Sequence, residues 1–120
     1  MPRRDIRPSA VDLLNDEFAQ EKASALGRLG RALEAALAAL ARFDSDERRD
    51  TSPADVRQLR ATLVAEASAA LWHFVVQREA CGLRDLRYVL RDYRVPNEVA
   101  ARMGALPDER VKPRHVKRRF

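Results

Sequence analysis

From Leu14 onward apolar residues return at Phe18, Leu26, Leu29, Leu33, Leu37, Leu40 and Phe43, in steps mostly of three and four, and this periodicity limits the chain more than any other feature. That spacing is the period of an α-helix. Within it Leu26, Leu29, Leu33, Ala36, Leu40 and Phe43 alternate three and four apart, as in the seam of a coiled coil. The start is marked by Ser9-Ala10-Val11-Asp12, where a serine hydroxyl and a carboxylate three residues on can satisfy the free N–H groups of a helix end. A helix over about 10–43 follows, roughly 50 Å long at 1.5 Å per residue.

The stretch 44–51, DSDERRDT, has no apolar residue and must turn the chain in solvent. Ser52-Pro53-Ala54-Asp55 then repeats the capping pattern, with proline at the first helical position, where its missing N–H is harmless. Val56, Leu59, Leu63, Ala67, Ala70, Leu71 and Phe74 put one apolar face on a second helix over about 53–81, with Gly82 as its left-handed cap. Two short helices, about 84–93 and 96–103, complete an all-α fold built on a long antiparallel hairpin. We divide the chain into a basic N-terminal arm (1–8), one helical domain (9–104) and a basic C-terminal tail (105–120).

Two segments are apolar nearly all round. Residues 35–41, AALAALA, carry no polar side chain, and 67–76, ASAALWHFVV, carry only Ser68 and His73. An ordinary surface helix is apolar on one stripe only. The helix after Gly82 can return to cover 67–76, but no part of the sequence evidently reaches 35–41. A second copy is the expected cover, making a homodimer through Leu33, Ala36, Leu37 and Leu40. Gly27 and Gly30 weaken the first helix by about 1 kcal/mol each relative to alanine. Trp72 or Phe74 is expected against the flat patch they leave.

The sequence holds no catalytic, cofactor or metal signature. His73 is the sole histidine outside the tail, and Cys81 the sole cysteine, so neither a disulfide nor a zinc ligand set can be assembled from them. His73 and Cys81 stand about two helical turns apart, too far for a nucleophile and its base on one straight helix. The acidic residues Asp12, Asp16, Glu17 and Glu21 complement the helix dipole. Phosphate-cradling glycine loops and metalloprotease or hydrolase motifs are missing. The expected protein is noncatalytic, with no cofactor and no membrane association. Its expected place is the cytoplasm, because no signal-like leader and no continuous apolar run of about 20 residues is present.

Charge singles out the C-terminal third, where residues 83–120 hold eleven basic against five acidic side chains. Arg84, Arg87, Arg91 and Arg94 line a flank beside the apolar arc of Leu86, Val89, Leu90 and Tyr93. Lys112, Arg114, Lys117, Arg118 and Arg119 extend the basic character into the tail. Such a surface suits an acidic protein partner or nucleic acid. The order helix, Arg94-Val95-Pro96, helix resembles a helix-turn-helix, although Leu90 and Arg94 stand where a small residue and a glycine are usual. The expected function is therefore a helical interaction protein using its basic C-terminal third, the alternative being a small nucleic-acid-binding protein.

Residues 71–85, LWHFVVQREACGLRD, and 90–104, LRDYRVPNEVAARMG, resemble a family of small uncharacterised bacterial proteins, a domain of unknown function. The resemblance implies a bacterial cytosolic protein and carries no activity or ligand.

Overall fold

A computed structural model describes residues 9–46 and 51–103 as four helices and no strand among them. These are α1 (Ala10–Ser45), α2 (Pro53–Ala80), α3 (Leu86–Asp92) and α4 (Asn97–Arg102). Every helix foreseen from the sequence is present, with ends within three residues of expectation.

The caps are made as the sequence dictates. The Ser9 hydroxyl accepts from the Asp12 N–H at 3.0 Å while the Asp12 carboxylate accepts from the Ser9 N–H at 3.4 Å, a complete capping box. Ser52 accepts from the Asp55 N–H at 3.1 Å, with Pro53 beginning the helix. At the far end of α2, Gly82 takes a φ of +87°, and the Leu83 N–H returns to the Arg78 carbonyl at 2.8 Å. The same device closes α3 without a glycine. Arg94 adopts a φ of 54°, and the Val95 N–H reaches the Leu90 carbonyl at 2.9 Å. A left-handed turn therefore exists where the sequence offered only arginine.

Helices α1 and α2 run antiparallel, and their register is set by Phe74. A symmetric fold about the acidic loop would place Phe74 near Lys22. Its ring instead lies against Gly30, where a built Cβ would come within 3.2 Å of it, and Gln77 reaches the Lys22 carbonyl, a shift of one to two turns. Gly30 thus answers the expected flat patch, and Phe74 is the aromatic that uses it. Gly27 does not: a Cβ there meets only the Arg31 guanidinium, at 3.4 Å.

The core joins Leu33 and Leu40 of α1 to Val64, Ala67, Leu71 and Phe74 of α2, with Val89, Val99 and Met103 from the C-terminal segment. Leu59, expected on the packed face, is 51% exposed. Helices α3 and α4 lie across one side of the hairpin. Ser68, buried inside the α2 apolar run, donates to the Val99 carbonyl at 2.9 Å and anchors α4. Tyr93 and Arg94 border Glu34 and Leu37.

These contacts remove the argument for a second copy over residues 35–41. Leu33 and Leu40 are 0% and 2% exposed inside their own chain, and Ala36 and Leu37 pack half-buried against the same core. The cover comes from the segment after α3. Ala35, Ala38 and Ala41 face outward, as alanines on a helix surface readily do.

Candidate functional site

Two arginines lock the short helices to the hairpin. Arg60 on α2 forks to Asp44 at the end of α1, at 2.7 Å, and to Glu98 at the start of α4. Arg78 makes a bidentate pair with Asp85, at 3.0 and 2.6 Å, while its guanidinium lies 5.5 Å from the Phe74 ring centre and 5.8 Å from that of Tyr88. Arginine suits both places because its planar fork grips carboxylates and its face stacks on rings. The Phe74 and Tyr93 rings meet edge to face at 5.2 Å beside it. Neither arginine was singled out from the sequence, since each pairs with a carboxylate that only the fold brings near.

These pairs move proton affinities. Hydrogen bonds from Arg60 lower the Glu98 pKa, and those from Arg78 lower the Asp85 pKa. Burial, aided by the Glu34 charge, raises that of the Tyr93 phenol. A carboxylate with a depressed folded pKa contributes stability above its unfolded pKa and loses it as pH falls. Unfolding midpoints should therefore hold level through neutral pH. They should decline once pH drops through the ordinary glutamate and aspartate values of 4.5 and 3.8. Thermal melts of the native chain and of Glu98→Gln with Asp85→Asn check this, since the double variant should show a shallower acid decline.

The four arginines about α3 behave differently. Arg84, Arg87, Arg91 and Arg94 are all exposed and make no ion pair with any described residue. Val89, 1% exposed, points from α3 into the core, and 100° per residue sets Arg87 and Arg91 on the opposite, outermost side. Only these two stand on α3, with Tyr88 beside them at 47% exposure, while Arg84 precedes the helix and Arg94 follows it in the left-handed turn beside Glu34 and Leu37. Lys112, Arg114, Lys117, Arg118 and Arg119 lie outside the described residues.

The helix-turn-helix resemblance weakens at α4. A recognition helix must offer a free face to a groove. Helix α4 has six residues, Val99 is fully buried, and Glu98, an acid that would repel phosphate, is committed to Arg60.

His73 is exposed and touches the edge of Trp72 at 5.5 Å between ring centres, and Cys81 is half-buried. Among the described residues, no group of three or more His, Cys, Asp or Glu side chains converges as metal ligands would. By length and composition alone α2 passes for a membrane-crossing helix, with 28% of its apolar window buried. Val64, Ala67, Leu71 and Phe74 are its buried apolar side chains, while Trp72 and Val76 stay 42% exposed.

A second open surface lies at the beginning of α1. Gln77, near the end of α2, donates to the Lys22 carbonyl at 3.3 Å, and α2 stops at Ala80. The first three turns of α1 therefore project past the hairpin. Val11, Leu14 and Phe18 are 65%, 49% and 53% exposed along them, although Leu14 and Phe18 continue the apolar period of the helix. The step leaves a groove of about 520 Å³ lined by Phe18, Lys22, Leu26, Ala80 and Cys81, among others.

These features define a small all-helical protein with its arginine forks spent on internal locks and its open surfaces arginine-rich or apolar. The chain matches the model of DUF6665, a family of unknown function, over residues 3–111, and it belongs to that family. No curated protein and no solved structure matches it.

Proposed function

We propose that this is a noncatalytic helical interaction protein, cytoplasmic and homodimeric, whose C-terminal third binds an acidic protein surface. The observation that carries the reading is the group Arg84, Arg87, Arg91 and Arg94, exposed and unpaired among the described residues while Arg60 and Arg78 are locked in place. Arg87 and Arg91, one helical turn apart on α3, present unpaired guanidinium donors to carboxylates on a facing helix or loop, and Arg84 and Arg94 flank the helix ends. Burying such a group against neutral surface would strand its charge, so the fitting partner is anionic. An acidic protein is favoured over nucleic acid because α4 offers no groove-reading face.

Anisotropy titrations of the full chain against labelled polyglutamate and a labelled DNA duplex test the reading. Polyglutamate should bind in low salt and weaken as salt rises. Replacing Arg87 and Arg91 with glutamate should weaken it by roughly tenfold or more, as loss of several charge-assisted contacts implies. Unchanged affinity in that variant would contradict the role of these arginines. Tighter binding to duplex, lost when residues 105–120 are removed, would favour the nucleic-acid alternative.

A further inference from the structure

The projecting face of α1 continues along the helix. At 100° per residue Val11, Leu14 and Phe18 share a stripe with Glu21, Ala25, Leu29 and Ala32, of which Leu29 is half-buried against the chain's own core, and Lys22 lies beside it. Gly30, Glu34 and Leu37, which meet α3 or its turn, lie round the helix on the other side. The stripe is therefore free of α3. Its first three turns carry the large side chains and its next turns carry mainly small ones.

We infer that this stripe is the homodimer interface, with α1 of a second copy lying antiparallel across it about a twofold axis between Glu21 and Lys22. The inference rests on the reading of the protein as a homodimeric interaction module and names where the second copy sits. In this register residue n faces residue 43 minus n. Phe18 then faces Ala25 of the second copy, Val11 faces Ala32, and Leu14 faces Leu29. Phe18 and Val11 each meet an alanine and only Leu14 meets another leucine, an alternation that lets the helices pack closely. Charge selects the same register. Glu21 faces Lys22 of the second copy, and Glu17 comes within a turn of its Arg28, so each pair forms twice. A parallel pairing would set Glu17 and Glu21 against themselves.

The area is sufficient. Residues 10–33 of two copies pairing along about six turns cover roughly 1,200 Å² in total, at the lower edge of specific interfaces. Each overhang supplies three large apolar side chains that are half or more exposed in the single chain. The twofold axis falls at the step where α2 ends, beside the groove of Phe18, Lys22 and Cys81.

Sedimentation of the full chain in low salt, with two charge-reversed variants, tests the register. One variant carries Glu17→Lys with Glu21→Lys, and the other carries Lys22→Glu with Arg28→Glu. All four positions are exposed, and circular dichroism monitors folding. The native chain should dimerise, and each variant alone should dimerise at least roughly tenfold more weakly through like-charge pairs. An equal mixture should regain the native affinity as a heterodimer, because every pair is then opposite in sign. Phe18→Asp should give a monomer. A native chain that stays monomeric, a dimer indifferent to both variants, or a mixture without recovery would overturn the inference. Polyglutamate binding separates the two proposals: a monomer that still binds through Arg87 and Arg91 refutes the seam alone. A seam-formed dimer whose arginine variant binds normally refutes the other.

Discussion

Phe74→Ala should lower the unfolding free energy by about 4 kcal/mol, the range of fully buried aromatic truncations. The ring is 2% exposed and joins more of the molecule than any neighbour whose contacts are known. It fills the flat of Gly30 on α1, meets the Tyr93 ring after α3, and lies under the Arg78 guanidinium that holds Asp85. Truncation would open a cavity at the point where α1, α2 and the return segment meet. Single domains have only about 5–15 kcal/mol in reserve, so a large share of the folded margin would go. Trp72, two residues earlier, provides the control. It is 42% exposed, and its replacement by alanine should cost under about 1 kcal/mol, as for surface positions. Urea midpoints of the two variants check the contrast, and equal losses would show that Phe74 does not hold the register.

The two glycines of α1 should respond in opposite directions. Gly30→Leu should destabilise by about 2–3 kcal/mol, because a Cβ at that position already stands 3.1 Å from the Tyr93 hydroxyl and 3.2 Å from the Phe74 ring. Further carbons would have to displace Phe74 or the end of α3. Gly27→Ala should instead stabilise by up to about 1 kcal/mol, the difference in helix propensity. Its Cβ would meet only the end of the flexible Arg31 side chain. Thermal melts of both variants decide the matter, and a destabilising Gly27→Ala would mean that this glycine also supports a close approach.

The helices were legible because their signals are local. Serine caps at Ser9 and Ser52, proline at Pro53 and glycine at Gly82 each act within a few residues, and all four positions do what their chemistry dictates. Register was not legible. It depends on Phe74 choosing Gly30, a contact between residues far apart in sequence, and a symmetric hairpin was the wrong starting point. The same ignorance hid the cover over Leu37 and Leu40 and suggested a second copy there. The apolar period through Leu14 and Phe18 likewise ran on past the hairpin, since periodicity cannot say where the partner helix stops.

The arginines divide along the same line. Arg87 and Arg91 were visible as neighbours because helical spacing places them together on α3, whereas Arg84 and Arg94, read onto the same helix, fall just outside it. Arg60 and Arg78 were not visible, because Glu98 and Asp85 become their partners only when the chain returns. Physically, the Arg87 and Arg91 pair is defined by a single helix and the Arg60 and Arg78 pairings by tertiary closure. The set left open is the one that can serve a partner.

The central claim is that the unfinished part of this fold is completed by a second copy along α1. Cys81, the one cysteine in the chain, is half-buried beside Lys22 at the step and can carry a spin label without any substitution. Helices packed about 10 Å apart about an axis between Glu21 and Lys22 would bring the two labels within roughly 25 Å of each other. Pulsed dipolar spectroscopy on the labelled native chain should show that short distance, diluted away by excess unlabelled protein. A dimer with no coupling, or with labels more than roughly 45 Å apart, would contradict it, since helices in that contact cannot separate them so far.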